Sequence, residues 1–444
     1  MSNKVSTSKK RDAFNSKTGF ILACIGSAVG MGNLWMFPYR VGQFGGAAFL
    51  IPYLIFVIVI GFTGVIGEMS FGRAMRTGPL GAFKKAVARR GKKNGDLIGL
   101  IPVIGSLGIA IGYAVVVGWI LRFTVGAITG SLTNAENSGA YFGKIAGTLG
   151  STGWHLAGLL ITFVIMFFGV SKGIEKVNKF MMPAFFGLFI ILAVKVMTLD
   201  GSMEGYKYLL LPKWEFLKDP KTWVYALGQA FFSLSLAGSG TLVYGSYLRK
   251  DEDVVNSAKY VAIFDTIAAM LAALVIIPSV FAFNLDPASG PPLMFITMPS
   301  VFKLMPAGRI FAIIFFVAVL FAGISSLMNL FETPIETLQN RFKLSRGLAI
   351  LIIALISGGV GLIVENGNNL STWMDVVSIY IIPLGALLAG IMFFWVCGTK
   401  FAREQAQLGR EKKIGPWFEP MAKYIFCGLT IIVYILGIFY GGIG

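Results

Sequence analysis

The chain reads as an all-α polytopic membrane protein, and three observations carry that reading. Of its 444 residues, 56% are hydrophobic and 13% charged, with a mean hydropathy of +0.76, a balance that soluble domains do not show. The apolar residues gather into about eleven runs, each long enough to cross the roughly 30 Å of bilayer hydrocarbon as a helix. Two of these runs, about two hundred residues apart, carry small polar residues and glycines at their middles, where an apolar span has no need of them. They read Gly26-Ser27-Ala28-Val29-Gly30-Met31-Gly32-Asn33, inside a run from Thr18 to Pro38, and Phe232-Ser233-Leu234-Ser235-Leu236-Ala237-Gly238-Ser239-Gly240, inside a run from Thr222 to Tyr247.

The predicted spans are centred near residues 29, 58, 110, 162, 188, 235, 270, 325, 355, 384 and 429. Spans one to five can be laid over spans six to ten, each set opening on an interrupted helix, and an odd repeat length inverts the second set relative to the first. The expected organisation is a cytoplasmic segment 1–16, a first half 17–200 (helices 1–5), a second half 201–399 (helices 6–10), and a cytoplasmic loop with helix 11 over 400–444. Gly81–Arg90 is short, basic and amphipathic and is expected along the cytoplasmic interface. Asp286–Ala307, broken by Asp-Pro, Gly-Pro-Pro and two Met-Pro steps, is expected as an outer loop with short helices.

The formal charge of +17 does not indicate nucleic acid. Basic residues cluster at Lys9–Arg11, Lys84–Lys93, Lys172–Lys179, Arg249-Lys250, Arg341–Arg346 and Lys400–Lys413, in alternate loops. That positive-inside pattern places the N-terminus in the cytoplasm and Gly444 outside. The first run is too long and too glycine-rich at its middle for a cleavable signal peptide. Cys24, Cys397 and Cys427 lie in or beside apolar runs with no metal-ligand spacing and read as small buried hydrophobes. The lone His155 is expected at the outer interface.

Peptide groups left unpaired in hydrocarbon cost several kcal/mol each, so an unwound stretch persists only where it lines a cavity. A pair of such breaks, one per half, points to a solute site at the bilayer midplane. Each break exposes the N–H groups of its second half-helix, a natural seat for a carboxylate, while the carbonyl end of the first half offers oxygens to a cation. Four acids are embedded in apolar runs: Glu68, Asp265, Glu332 and Glu336. Each is a functional candidate because charge is costly there. Glu68 can accept from N–H groups freed by an unwound neighbour. Asp265 has no basic residue near it in sequence and so calls for a cation. Asn33, Ser233, Ser235, Ser325 and Ser326 add the hard oxygens that Na+ prefers, although hydroxyl residues also serve helix packing. Gly30-x-Gly32 follows no strand, so a dinucleotide loop is excluded. No nucleophile–base pair stands out, and the chain is not expected to be an enzyme.

The run Gly30-Met31-Gly32-Asn33-Leu34-Trp35-Met36-Phe37-Pro38-Tyr39 resembles the first-helix signature of the neurotransmitter:sodium symporter family. Phe44–Tyr53, Lys172-Gly173-Ile174-Glu175-Lys176-Val177, Gln229–Ser235 and Phe321-Ala322-Gly323-Ile324-Ser325-Ser326 extend the resemblance over nearly the whole chain. It is strongest to the bacterial, leucine-transporter-like amino-acid transporters of the family, the multi-hydrophobic type among them. The resemblance implies two Na+ sites. The first uses the Ala28 carbonyl, Asn33, Ser233, Asp265 and the substrate carboxylate. The second uses the carbonyls of Gly26, Val29 and Ala322 with the hydroxyls of Ser325 and Ser326. It further implies that Gly30, Gly32 and Tyr113 hold the substrate carboxylate. Ala28, Ile109, Phe232, Ser233, Ser235, Gly238, Ser326 and Leu330 would complete the pocket, with Phe232 and Tyr113 as its lid and Glu68 in support.

Departures from the family pattern carry their own expectations. A fixed carboxylate at Asp265, with Ala269 one turn on, implies transport without chloride. Met36 stands where the family has an outer-gate arginine, so Arg40, on the same helix face, is expected to face Asp375. Asn340 stands where the family has an inner-gate aspartate opposite Arg11. Gly238 leaves room for an aromatic or large aliphatic side chain. Gly173 and Pro183 weaken the helix between them, so 174–182 is expected to unwind and wet the second ion site. Glu332 and Glu336 receive no role. The expected function is sodium-coupled uptake of hydrophobic L-amino acids by alternating access in a bacterial inner membrane, with amino acid, Na+ and lipid as partners and no nucleic acid. Proton coupling, with Asp265 or Glu68 titrating, and a substrate sensor of the same fold are the rival readings.

Overall fold

In a computed structural model, residues 12–236, 239–287 and 292–442 are described. The first helix, α1 (Lys17–Ala28), starts where Ser16 Oγ accepts from Gly19 N at 3.0 Å. The same hydroxyl donates to Glu175 at 2.8 Å, and Asn15 N donates to the other oxygen of that carboxylate at 2.7 Å. α1 stops at Val29, whose backbone is extended, and the chain restarts as α2 (Gly32–Gln43), bent by 51°. The second interrupted span behaves alike. Asp219 caps α10 (Pro220–Ser233), accepting from Lys221 N with Pro220 in the first turn, and α11 (Gly240–Ser246) follows the break. Ser235 and Ser239, on either side of this break, both have positive φ, 54° and 52°. Left-handed geometry costs a non-glycine residue about 1–3 kcal/mol and persists only where surrounding structure imposes it.

Between these pairs run α3 (Ala47–Met75), α4 (Pro79–Ala88), α5 (Gly95–Thr129), α6 (Ser138–Ile145), α7 (Thr152–Phe167), α8 (Val170–Met197) and α9 (Ser202–Leu210). After them come α12 (Val254–Ala282), α13 (Leu293–Leu304), α14 (Gly308–Phe342), α15 (Arg346–Val364), α16 (Gly367–Val396), α17 (Thr399–Gln407) and α18 (Phe418–Tyr440). Among the described residues, eight helices are long and apolar enough to cross a membrane, or nine with α1 and α2 as one bent span. The 16-residue apolar α7 and the broken α10–α11 stand where the fourth and sixth spans were expected. α4 lies where the basic amphipathic segment was expected, with Leu80, Ala82, Phe83 and Ala86 buried. α13 is a short apolar helix in the segment expected as an outer loop. α8 is unbroken through 174–182, its first turns over Val170–Glu175 wider than an α-helix and Pro183 inside it.

The half-helices sit at the centre. α1 packs against α8, α12 and α14, and α11 packs against the second half of α3. The α3–α11 crossing leaves no room for side chains: a Cβ on Gly72 would stand 1.9 Å from Leu242 O, and one on Gly245 2.5 Å from Met69 O. Small residues set such close approaches in membranes. His155 departs from expectation. It is fully buried, with its ring packed on Gly361 of α15 and its backbone against Gly118 of α5. The N-terminal end of α7 is roofed by the 365–366 turn; Glu365 accepts from Ser151 N at 2.6 Å and from Thr152 Oγ1 at 2.8 Å.

Candidate functional site

The two breaks face one cavity. Nine of the residues expected to touch substrate line it: Ala28, Gly30, Gly32, Ile109, Tyr113, Phe232, Ser235, Ser326 and Leu330. Ser233 does not; its hydroxyl turns away to Asp265. Gly238 and Arg11 lie outside the described residues. Met31 N–H, freed by the break, donates to Tyr113 Oη at 3.0 Å. Gly30 N–H donates to Asn33 Oδ1 at 3.1 Å. Ser235 Oγ donates to Ser27 O at 2.8 Å and so joins the two breaks. Gly30 cannot carry a side chain, because a Cβ there would stand 2.5 Å from Ser326 Oγ and 2.6 Å from Tyr113 Oη.

Two oxygen clusters flank the cavity. In one, the buried Asp265 carboxylate accepts from Asn33 Nδ2 at 2.7 Å and from Ser233 Oγ at 2.8 Å. Asn33 and Ser233 are both neutral, as the missing basic neighbour in sequence led one to expect. Such a carboxylate, with an amide and a hydroxyl turned to it, can take a hard monovalent cation. In the other, Ser326 Oγ donates to the carbonyls of Gly26, Ser27 and Val29 at 3.2, 3.1 and 3.0 Å, and Ser325 Oγ donates to Ala322 O at 2.9 Å. Ser326 thus joins the end of α1 to the middle of α14, where Ser325 and Ala322 pair one turn apart. Glu68, buried on α3, accepts from Thr241 Oγ1 in the first turn of α11, with Leu242 N–H facing the same carboxylate. It braces the restart of the second broken helix, as a carboxylate beside freed N–H groups should.

The expected gates are arranged differently. Arg40 does not reach Asp375. Its guanidinium lies 4.0 Å from the centre of the Tyr225 ring and 4.8 Å from that of Tyr39, and donates to Gln43 Oε1 at 3.0 Å, while Asp375 is exposed. An aromatic face on α10 holds the cation more closely than a solvated carboxylate across the mouth. Met36 is half-buried and makes no such link. On the opposite face Asn340 donates to Glu336, which also accepts from Gly78 N at 2.7 Å. A strong ionic contact there is one the sequence reading missed. Glu332 takes both Arg346 nitrogens at 2.9 and 2.7 Å and Tyr247 Oη at 2.7 Å, and Asp12 stands 3.8 Å from Arg346. Also missed were Ser27, Met31, Asn329 and Ile382 in the cavity wall, and Gln229, whose Nε2 donates to Gly32 O at 2.9 Å. Gln229 lay inside a quoted motif and Asn329 one turn beyond Ser326, which was signal enough for both.

The sodium:neurotransmitter symporter family matches residues 11–145 and 140–440. An uncharacterized sodium-dependent transporter of Bacillus subtilis (strain 168), YhdH, is 37% identical over 393 residues, covering 85% of this chain and 86% of that one. An uncharacterized sodium-dependent transporter of Methanocaldococcus jannaschii is 31% identical over 96% of this chain and 90% of its own. The crystal structure of MhsT in complex with L-phenylalanine superposes with a TM-score of 0.87 at 34% identity, over 96% of this chain and 99% of that one. With two broken helices around one cavity and a match running from end to end, the chain belongs to the sodium:neurotransmitter symporter family and is a sodium-dependent membrane transporter, not an enzyme.

Proposed function

We propose that the chain carries hydrophobic L-amino acids, aromatic or large aliphatic, into the cell together with two Na+ ions and without chloride. The observation that carries this reading is the largely apolar cavity between the breaks, flanked on both sides by clusters of hard oxygens. The substrate carboxylate would lie at the start of α2, where the N–H groups of Gly30, Met31 and Gly32 and the Tyr113 hydroxyl converge. The ammonium group would take carbonyls at the end of α1 or near the second break. Ile109, Phe232, Leu330 and Ile382 would enclose the side chain. A cation at Asp265 would replace the Asn33 amide protons, and a turn of that amide would bring Oδ1 onto it beside Ser233, the Ala28 carbonyl and the substrate carboxylate. Ion and substrate would then each complete the other's site, which is the coupling. The second cation would take Gly26, Val29, Ala322, Ser325 and Ser326, joining α1 to α14. The structural neighbour bound to L-phenylalanine supports the substrate class.

The alternate basic loops support an N-terminus in the cytoplasm, a C-terminus outside, and a bacterial inner membrane. The halves 17–200 and 201–399 would exchange access by moving about the fixed site. Uptake of L-phenylalanine or L-leucine into proteoliposomes, driven by a Na+ gradient at equal pH inside and out, tests the function. Accumulation is expected with gluconate in place of chloride at the same initial rate. A collapse of the rate on removing chloride would refute the chloride-free reading, and accumulation driven by a pH gradient without Na+ would point to proton coupling. Binding without accumulation would mark a sensor.

A further inference from the structure

Asn178 of α8 is fully buried and belongs to neither oxygen set described above. Its Nδ2 donates to Ile174 O at 2.9 Å, one turn back in the same helix. That bond fixes the amide's orientation, since the reverse placement would set one acceptor against another. Oδ1 therefore faces away from its own helix, and it has no hydrogen-bond partner among the described residues. It faces the elbow of α1. A Cβ built on Gly26 would stand 2.2 Å from Asn178 Oδ1 and 3.0 Å from Ser325 Cβ. Adding one C–C bond puts Oδ1 within about 4 Å of Gly26 Cα. A buried amide oxygen left unpaired costs about 1–3 kcal/mol, and this one is aimed at Gly26 and toward Ser325, both members of the second oxygen set.

We propose that Asn178 Oδ1 is a sixth oxygen of the cation site formed by Gly26, Val29, Ala322, Ser325 and Ser326, and that it sets the sodium affinity of that site. The inference rests on the two-cation reading above. The other five oxygens come from α1 and its break and from α14; Asn178 adds α8, so the ion ties three helices together. Hard cations favour six or more oxygens, and a neutral amide adds one without adding charge. The position has a consequence for release. Asn178 stands in the stretch between Gly173 and Pro183, so unwinding that stretch withdraws an ion ligand and admits water in one motion. The glycine at position 26 is explained as well, since any side chain there would displace the amide.

The test is Na+-dependent thermal stabilisation of the purified full-length protein, with choline replacing Na+ at constant ionic strength and no substrate added. A ligand that binds only the folded state raises the melting temperature as its concentration passes its Kd. Asn178→Ala, and Asn178→Leu, which keeps the volume, are expected to raise the Na+ concentration for half-maximal stabilisation about tenfold, ~1.4 kcal/mol. Asn178→Asp keeps an oxygen at the same reach but loses the bond to Ile174 O, and is expected to bind Na+ at least as tightly as the parent. Were Asn178 only a brace for its own helix, the aspartate and alanine variants would weaken alike, and that result overturns the proposal. An unshifted Na+ profile in Asn178→Ala and Asn178→Leu also overturns it, provided Ser326→Ala shifts the profile in the same assay. If Ser326→Ala leaves the profile unchanged, the site reading itself falls and takes the proposal with it.

Discussion

Asp265→Ala is expected to weaken Na+-dependent amino-acid binding at least a hundredfold, about 3 kcal/mol or more, the cost of removing one partner from a buried charge pair. Asp265 sits at zero exposure on α12, held by an amide and a hydroxyl, neither of which can balance its charge. In a low-dielectric site the Coulomb energy between such a carboxylate and a monovalent cation outweighs what neutral oxygens supply. The substrate carboxylate is proposed to share that cation, so losing the ion also costs substrate affinity. Asp265→Asn separates charge from coordination. It keeps an oxygen, so it is expected to bind Na+ more weakly than the parent but better than the alanine variant, and its uptake is expected to gain a dependence on chloride that the parent lacks. Equilibrium binding of labelled substrate against Na+ concentration, with chloride or gluconate as the anion, measures both effects. A parent-like Na+ profile in Asp265→Ala would remove this carboxylate from the coupling mechanism.

What could be read from the chain beforehand followed from local cost. Glycines and serines in mid-membrane are penalised unless the backbone there is used, so both breaks were visible. The structure adds that Ser235 and Ser239 hold left-handed backbone beside the second break, which composition cannot show. Asp265 stood out for the same reason, as a carboxylate with no neutralising neighbour. Features that depend on how helices are rotated against one another were not visible. Asn178 lies between Lys176 and Lys179 and looks like part of a solvated face; only the packing of α8 on α1 turns it inward. Arg40 was placed on the correct helix face, but its partner was decided by where α10 sets Tyr225. His155 looked interfacial from its place at a span end, until the 365–366 turn closed over it. Glu332 and Arg346 are separated by a helix end and the turn at 343–345, which folds one back on the other.

That last pair supports the second strong expectation. Glu332 is fully buried and the Arg346 side chain 13% exposed, and their bidentate contact gathers three further segments. Tyr247 donates from the end of α11, Met166 O at the end of α7 accepts from Arg346 Nε at 2.7 Å, Asp12 approaches from the N-terminal segment, and α14 and α15 supply the pair itself. Breaking one side leaves a buried charge uncompensated, so Glu332→Gln and Arg346→Gln are each expected to destabilise the fold by about 3–5 kcal/mol. Together they leave two neutral amides able to bond each other, and the double variant is expected to recover about 1–3 kcal/mol relative to the sum of the singles. Denaturation of the four proteins in one detergent gives the cycle. The cluster ties the N-terminal approach of α1 to α14 and α15, so loosening it should also free that end of the half-helix. Faster hydrogen exchange over Lys17–Ala28 is expected in Glu332→Gln, with exchange over the outer α13 unchanged. Additive singles and unchanged exchange would mean that the pair fixes charge locally and does not hold the end of α1 in place.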